Sequence, residues 1–168
     1  EDVTALSRTE EDLAARNAEL EALHETALRL SARRDRESLL ADIVSRATGL
    51  VEAPHGWIHL LRDDELVFET GIGVFSRPPV ERTPRHAGLA GRVVETGTPC
   101  TVDDYSSWPD RILAFEGVDL GAVCIVPLHA GSDVVGVLGV GRNASARRFD
   151  ETDVALLTRF GQLASLAL

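Results

Sequence analysis

The sequence contains neither lysine nor methionine, so all 17 of its basic side chains are arginines. Acidic residues outnumber them at 27, and the formal net charge is −10 with histidine counted as neutral. A nucleic-acid-binding surface needs a basic stripe that neutralises phosphates, so this charge balance argues against a nucleic-acid partner. Because no initiator methionine is present, we expect the chain to be a piece of a longer protein.

Long apolar runs are also missing. No segment approaches the roughly 20 apolar residues that a membrane-spanning helix needs, and residues 1–30 carry too many charges for a secretory signal. Only two cysteines occur, Cys100 and Cys124, and they have neither CxxC spacing nor neighbouring histidines. We therefore predict a cytoplasmic protein that has no zinc site and no membrane span in these residues.

The first 30 residues have the seven-residue spacing of a coiled-coil helix. Its apolar row consists of Leu6, Leu13, Leu20 and Ala27, and a mostly polar row three positions earlier consists of Val3, Glu10, Asn17 and His24. An asparagine in such a row often fixes the register of a two-stranded coil. We predict a separate N-terminal segment, residues 1–30, that forms a parallel homodimer through Leu6, Leu13, Asn17 and Leu20. The alternative is a surface helix that lies on its own domain.

The rest of the chain, residues 31–168, predicts one domain of mixed helices and strands. Helical spacing predicts helices at 35–53, within 88–99, from Pro109 to Phe115, and after the candidate N-cap Asp150. Apolar runs predict two hairpins, which turn at 63–64 and at 130–132, while the proline-rich segment 74–85 predicts a loop or sheet edge. The fold class is therefore α+β, with an antiparallel sheet, helices from both chain ends on one face, and loops and short helices on the other.

Three segments of this domain resemble the GAF domain family: "GLAGRVVETGTPCTVDD", "VCIVPLHAGSDVVGVLGVGR" and "RRFDETDVALLTRFGQLASLAL". The family's glycine and proline spacing is matched at Gly88, Gly91, Gly97 and Pro99, and its closing hairpin and helix at 127–128, 136–138 and Phe149. The resemblance covers about residues 27–168. It implies a GAF-like, PAS-related fold and a small-molecule-sensing module of a bacterial signalling protein, such as a sensor histidine kinase or a regulator of a cyclase or phosphodiesterase.

The features that define individual GAF subgroups are incomplete here. Covalent bilin attachment uses a Cys-His pair, but Cys100 and Cys124 are followed by Thr101 and Ile125. The methionine-sulfoxide-reducing members have a catalytic cysteine where this chain has Ala90. Half of the cyclic-nucleotide motif is absent around Asn143. Haem stays open, because five histidines are present and their spacing singles out none.

Pairing the closing hairpin about Gly131 predicts which residues share a face of the sheet. One face carries Val123, Ile125, Val135, Val137 and Gly139. Gly139 and Gly141 leave volume on this face that either a ligand or a packed helix could fill. We predict a pocket between this face and the aromatic segments, with Trp108 as a wall of the ligand site or a hydrophobic plug. Its candidate residues are Trp57, His59, Phe75, Tyr105, Trp108, Ile112, Phe115, Ile125, Val137 and Gly139.

The closing helix has two apolar rows. Leu156, Phe160, Leu163 and Ala167 are predicted to face the sheet, and Val154, Leu157, Gly161, Ala164 and Leu168 form a second row at coiled-coil spacing. We assign Leu157, Gly161, Ala164 and Leu168 to the dimer interface, although the second row could also pack against the N-terminal helix.

The resemblance implies a ligand-sensing module, and the apolar rows of the terminal helices predict a dimer through which occupancy would be transmitted. No Ser-His-Asp set, phosphate-binding glycine loop or metal motif is present, so we expect a non-enzyme of unknown cofactor. One alternative is a ligand-free dimerisation scaffold whose pocket is closed by side chains. Another is a redox enzyme that uses Cys100.

Overall fold

The structure, a computed structural model, describes residues 2–168. Contacts divide the chain into two compact units, one that ends at Arg36 and one that spans Glu37–Leu168. The sequence predicted two helices before the first strand, but a single helix, α1, runs from Asp2 to Leu50. No glycine or proline interrupts residues 31–36, so no residue there breaks the helix.

In the first unit, every side chain from Val3 to Asp35 is exposed. The leucines of the predicted heptad row, Leu6, Leu13 and Leu20, are exposed to 62%, 57% and 64%. The dimer that this row suggests stays a prediction. None of the helices described over residues 2–168 is both long enough and apolar enough to cross a membrane.

The second unit is built on a six-stranded antiparallel sheet of order β3-β2-β1-β6-β5-β4. Its strands are β1 (His55–Arg62), β2 (Glu65–Ile72), β3 (Arg82–Pro84), β4 (Cys100–Val102), β5 (Val123–Ala130) and β6 (Asp133–Gly141). Two further helices are α2 (Gly88–Thr96) and α3 (Glu151–Leu166), and 3₁₀ turns occur at Gly73–Ser76, Tyr105–Ser107 and Leu113–Phe115. The α+β class and the antiparallel sheet predicted from the sequence are confirmed.

Each face of the sheet has its own core. Ile58, Cys124 and Leu138 belong to one core, which includes buried residues of α1 after Glu37 and of α3. The opposite core joins Trp57 and Ile125 to α2 and to the segments that contain the 3₁₀ turns. This is the predicted arrangement, with the terminal helices on one face and short elements on the other.

The short helix expected from Pro109 to Phe115 does not form. Only the single 3₁₀ turn Leu113–Phe115 lies in that stretch. The backbone N–H of Ile112 donates instead to the hydroxyl of Tyr105 at 2.9 Å. A backbone donor committed to a side chain is lost to a helical ladder, so this segment follows an irregular path across the sheet.

Pairing about Gly131 predicts Ile125 opposite Val137, but Ile125 pairs with Gly139, so the predicted register is wrong by two residues. The faces predicted for this hairpin are correct for most residues, because a shift of two residues leaves each side chain on the same face. Val135 is the exception. A register shift at Leu128/His129 pairs Leu128 with Gly136 and His129 with Val134, which leaves Val135 between them. Such a bulge turns a side chain to the other face, and Val135 packs with the helix-side core.

The glycines of β6 are covered by side chains of the chain itself, so neither a ligand nor a helix fills the volume they leave. A Cβ atom at Gly139 would collide with the indole of Trp57, and one at Gly141 would lie 2.9 Å from a methyl group of Leu120.

The second apolar row of α3 is buried more deeply than the row that was predicted to face the sheet. Leu157 and Ala164 are fully buried in the helix-side core, and a Cβ atom at Gly161 would lie 3.1 Å from Val126. The predicted sheet-facing row is less buried, and Leu163 is 52% exposed. The assignment of Leu157, Gly161 and Ala164 to a dimer interface is therefore wrong. The row that contains Gly161 packs closest to the sheet. Two apolar rows with similar spacing do not show, from the sequence alone, which of them does so.

One arginine joins the ends of both terminal helices to the sheet. Arg142, directly after β6, is only 2% exposed. Its guanidinium donates to the backbone carbonyls of Val51 and Glu52 after α1 and to those of Arg147 and Arg148 before α3. The same group lies 3.5 Å from the Asp153 carboxylate and 4.0 Å from the centre of the Phe149 ring.

The predicted N-cap of α3 is part of this network. The Asp150 carboxylate accepts from the Asp153 N–H at 2.8 Å, and the Asp153 carboxylate accepts from the Asp150 N–H at 3.0 Å. Arg147 also reaches Asp153 at 3.1 Å. These bonds form a capping box that holds the start of α3 beside Arg142.

We predict that Arg142→Ala lowers the free energy of unfolding by about 3–5 kcal/mol, because it leaves several carbonyls and the buried Asp153 carboxylate without their donor. Arg159→Ala, which removes an exposed arginine from α3, is the control and should change stability by less than about 0.5 kcal/mol. Urea denaturation measures both. Equal effects of the two substitutions would contradict the structural role of Arg142.

Candidate functional site

A small cavity lies between the sheet and the short elements that cover its second face. Strands β1, β3 and β5 form its floor, while α2 and the segments that carry the 3₁₀ turns close it from above. Its volume is about 40 Å³. The lining residues are Trp57, His59, Phe75, Thr83, Leu89, Ala90, Tyr105, Ile112, Phe115, Leu120, Val123 and Ile125.

Most of the predicted pocket residues meet in this cavity. Those that line it are Trp57, His59, Phe75, Tyr105, Ile112, Phe115 and Ile125. Val137 and Gly139 do not line it. Val137 is fully buried opposite His59 in the β1–β6 ladder, and the ring of Trp57 covers Gly139.

Trp108 does not line the cavity either, which corrects its predicted role as a wall. Its ring packs on Tyr105 with centroids 5.9 Å apart, and the Arg92 guanidinium lies 5.1 Å from the Trp108 ring. Arg92 in turn pairs with Asp110 at 3.2 Å. Trp108 thus holds Tyr105 in place from the outside.

Five lining residues were not predicted: Thr83, Leu89, Ala90, Leu120 and Val123. Leu89 and Ala90 lie within the Gly-x-x-Gly segment, so this motif was a usable signal for a cavity wall. Thr83 lies on the short edge strand β3, beside Pro84. Its position at the cavity follows only from the pairing of β3 with β2. The sequence predicted either a loop or a sheet edge for this segment.

The wall of the cavity is mainly aromatic. The rings of Trp57 and Phe75 stack with centroids 4.0 Å apart, and Phe115 lies 5.6 Å from Phe75 and 6.3 Å from Tyr105. The Tyr105 hydroxyl accepts the hydrogen bond from Ile112, and burial raises the pKa of that phenol. Aromatic pairs of this kind fix one another's orientation, so the wall is preorganised.

His59 is the polar exception in this wall. It is 6% exposed, and its Nδ1 atom is buried with no hydrogen-bond partner among the described residues. Burial lowers its pKa to about 4, so the ring is neutral at pH 7. An unpaired buried polar atom costs roughly 1–3 kcal/mol, which makes it a candidate for contact with a ligand.

The backbone around His59 is irregular as well. Ile58 pairs with Thr70 and His59 with Phe68, which leaves Glu69 as an extra residue on β2. Such bulges often occur beside functional sites, where they change the direction of a side chain. The bulge and the unpaired ring nitrogen therefore occur at the same position of β1.

His55, four residues earlier on the same strand, has hydrogen-bond partners at both ring nitrogens. Its Nδ1 atom accepts from the Val74 N–H at 3.1 Å, and its Nε2 atom lies 2.6 Å from the Asn143 side-chain oxygen. The first contact places the proton of the neutral ring on Nε2, which then donates to Asn143. His55 is structural, whereas His59 is a buried histidine with an unpaired ring nitrogen among the described residues.

The cavity presents no charged side chain, since its lining is apolar apart from His59, Thr83, Tyr105 and the Trp57 indole nitrogen. A bound ion would have no counter-charge there and would be costly to bury. No group of three or more His, Cys, Asp or Glu side chains that could hold a metal ion occurs within residues 2–168. The site therefore suits a small neutral molecule with one hydrogen-bonding group.

The two cysteines lie near the cavity without sharing a face. Cys124 is buried in the helix-side core, and this burial raises the pKa of its thiol to about 12. Cys100 is half-buried on β4, pairs with Ile125 and packs against the cavity-side core. Cys100 is thus the more accessible thiol.

Comparisons with known proteins agree with the fold. The sequence model of the GAF domain family matches residues 33–168. No curated protein matches the sequence. Similar solved structures include a type II free methionine-R-sulfoxide reductase from Thermoplasma acidophilum, with 15% identity and a TM-score of 0.70 over 81% of this chain and 94% of that one.

A second reductase structure, the free methionine-R-sulfoxide reductase from Neisseria meningitidis in complex with its substrate, has 22% identity and a TM-score of 0.64 over 85% and 89% of the two chains. A fragment of a methyl-accepting chemotaxis protein has 20% identity and a TM-score of 0.68 over 79% of this chain and 87% of that one. At these identities the likeness shows the fold.

The expectation of a non-enzyme is therefore wrong. It rested on the absence of catalytic motifs in the sequence, but two of the similar structures are reductases. A fold that also occurs in reductases does not exclude catalysis.

We predict that His59→Phe removes part of the acid sensitivity of the protein. The pKa of His59 in the folded state is about 4, below the ordinary value of 6.5, so the unfolded chain takes up a proton first as the pH falls. The free energy of unfolding therefore has its full value above pH 6.5 and decreases as the pH falls towards 4. The wild type should lose on the order of 3 kcal/mol more than His59→Phe over that interval. Urea denaturation at several pH values measures the difference.

His55→Phe is the matched control, because it removes a buried histidine from the same strand. At pH 7 it should destabilise the protein by about 1–3 kcal/mol, since the Val74 N–H loses its acceptor. His59→Phe should leave stability at pH 7 unchanged or higher. A loss of stability from His59→Phe as large as that from His55→Phe would mean that His59 has a structural partner.

Proposed function

The chain belongs to the GAF domain family, and on that premise we propose that it is a sensory module whose cavity binds a small neutral molecule. The observation that carries the proposal is that His59, which lines an otherwise apolar and aromatic cavity, has a buried Nδ1 atom with no partner among the described residues. A ligand with one hydrogen-bonding group would supply the missing partner and recover the free energy that this atom costs.

The chemistry of the wall limits the ligand. The stacked Trp57 and Phe75 rings favour a flat or aromatic molecule. The volume of about 40 Å³ holds roughly three water molecules, whereas pockets for drug-sized ligands measure about 300–1,000 Å³. Haem or a bilin would require the covering segments to move outward. A small phenol, alcohol or amide fits the polarity with the least displacement.

Strand β1 suggests how occupancy could be transmitted. Trp57 and His59 face the cavity, while Ile58 and Leu60 pack in the core shared with the terminal helices. A shift of this strand would change both faces together. The ligand must bind one helix arrangement more tightly than another, because a ligand indifferent to the two would signal nothing.

Similarity to a chemotaxis-protein fragment supports a place in signal transduction. We propose that the output domain is that of a bacterial signalling protein, such as a sensor histidine kinase, and that the module is cytoplasmic and acts as a homodimer through its terminal helices. The competing view is a ligand-free scaffold, and the small size of the cavity is the observation that favours it.

Thermal-shift and fluorescence titrations with small neutral aromatics would test ligand binding. Trp57 lies on the cavity and Trp108 outside it, so the Trp108→Phe variant makes Trp57 the single tryptophan reporter. A ligand at one hundred times its Kd should raise Tm by roughly 5–10 °C and change the Trp57 emission.

Two variants test separately whether binding depends on the hydrogen-bonding atom of His59 and on the volume of the cavity. His59→Phe removes the hydrogen-bonding atom, and Ala90→Val narrows the cavity but keeps His59. Each should weaken binding at least tenfold, while His55→Phe should bind normally if it folds. Absence of any hit for the wild type, with His59→Phe simply more stable, would support the scaffold and overturn the sensor.

A redox activity is the second candidate. It is favoured by the half-buried thiol of Cys100, which lies on the strand next to cavity residue Ile125, and by the similarity to the two reductases. Reduction of a sulfoxide would consume two thiols, Cys100 and one from an added dithiol, and yield a thioether, a disulfide and water.

We predict that any turnover of free methionine-R-sulfoxide with dithiothreitol depends on Cys100. Cys100→Ser should abolish it, and Cys124→Ser should leave most of it, because the Cys124 thiol has a pKa of about 12 and faces the other core. Product formation is followed by chromatography. No turnover above the uncatalysed rate would eliminate this candidate.

A further inference from the structure

The exposed N-terminal part of α1 lacks any packing partner in its own unit. Every side chain from Val3 to Asp35 is exposed, including seven large apolar ones. An isolated helix gains no stability from tertiary packing, and most helices need such packing in water. A repeated row of leucines on this helix therefore requires a second surface.

The heptad positions of this helix can be assigned from its two rows. The polar row that contains Asn17 occupies position a, and the row of Leu6, Leu13 and Leu20 occupies position d. The flanking positions g and e then hold Arg16 and Glu21 in the middle of the helix. Neither of these two side chains forms an ion pair with another residue among those described.

Arg16 and Glu21 fit a second copy of the same helix. In a parallel, in-register pair of helices, position g of one chain lies beside position e five residues later in the other chain. Arg16 of each copy would then face Glu21 of its partner, and two opposite-charge pairs would form. In an antiparallel pair, g flanks g and e flanks e, so Arg16 and Glu21 would not meet.

The next heptad supports the same arrangement. Its d residue is only Ala27, which buries little area, but the flanking g and e positions hold Leu23 and Leu28. These two leucines are 60% and 57% exposed, and their spacing is again five residues. In the parallel pair they would contact each other across the seam and offset the small alanine. The parallel register thus gives complementary neighbours to the flanking residues of these two heptads.

We propose that residues 3–30 bind the same segment of a second copy in parallel and in register, and that Arg16 and Glu21 select this partner and orientation. The proposal rests on the proposed function and deepens it by naming the two side chains that set the register and orientation of the homodimer. Asn17 would face Asn17 of the second copy, which favours two strands and one register. The largely polar a row keeps the association reversible.

Charge reversal in the 168-residue chain tests the proposal. Arg16→Glu places like charges opposite each other twice in the dimer, and so does Glu21→Arg. Each single variant should raise the dimer dissociation constant about tenfold in sedimentation equilibrium, and the double variant should restore it. Arg8→Glu is the control, because it makes the same charge change at an outward position.

Mixing the two single variants gives the sharpest result. The mixed dimer recovers both opposite-charge pairs, so heterodimers should exceed the statistical fraction of one half when the variants carry different tags. A monomeric wild type, single variants that match Arg8→Glu, or a statistical mixture would each overturn the proposal. Association is measured without ligand, so failure here and failure of the His59 experiments are independent.

Discussion

The position of both terminal helices on the sheet depends on one buried guanidinium. Arg142 directly follows β6, and its guanidinium donates to carbonyls after α1 and before α3. Burial of a cation is costly unless every donor is used and a carboxylate is near, and Asp153 supplies that carboxylate. Because one rigid planar group contacts all three elements, none of them can shift without breaking bonds to the others.

That constraint leaves the other face of the sheet as the place where change is possible. The covering segments there are irregular, and the chain between Tyr105 and Leu120 contains only short 3₁₀ turns. They enclose a cavity next to β1, whose successive residues point alternately into the two cores. A polar atom left unpaired in such a wall reduces the stability of the empty protein, and a site can use that deficit to gain ligand affinity.

Much of the architecture could be predicted from the sequence because it depends on local signals. Apolar alternation identified the hairpins and placed Ile125 and Val137 on one face, and the Asp150 cap identified the start of α3. Other features depend on contacts between distant residues. The bulge that turns Val135 away, the close approach of Gly161 to Val126, and the role of Arg142 have no local pattern that distinguishes them.

The features of the candidate site also divide into those that the sequence predicted and those that only the tertiary structure showed. The sequence by itself determined the α+β class through periodicity, and it determined the GAF-like fold through its resemblance to that family. It also predicted the aromatic character of the second face and most residues of the cavity, because these follow from alternation along the strands and from the placement of the aromatic residues. Only the tertiary structure decided that Trp57 fills the space above Gly139, that Trp108 lies outside, and that His59 rather than His55 lacks a partner. Hydrogen-bond satisfaction and packing depend on which distant atoms come within a few ångströms, and residue spacing along the chain does not specify that.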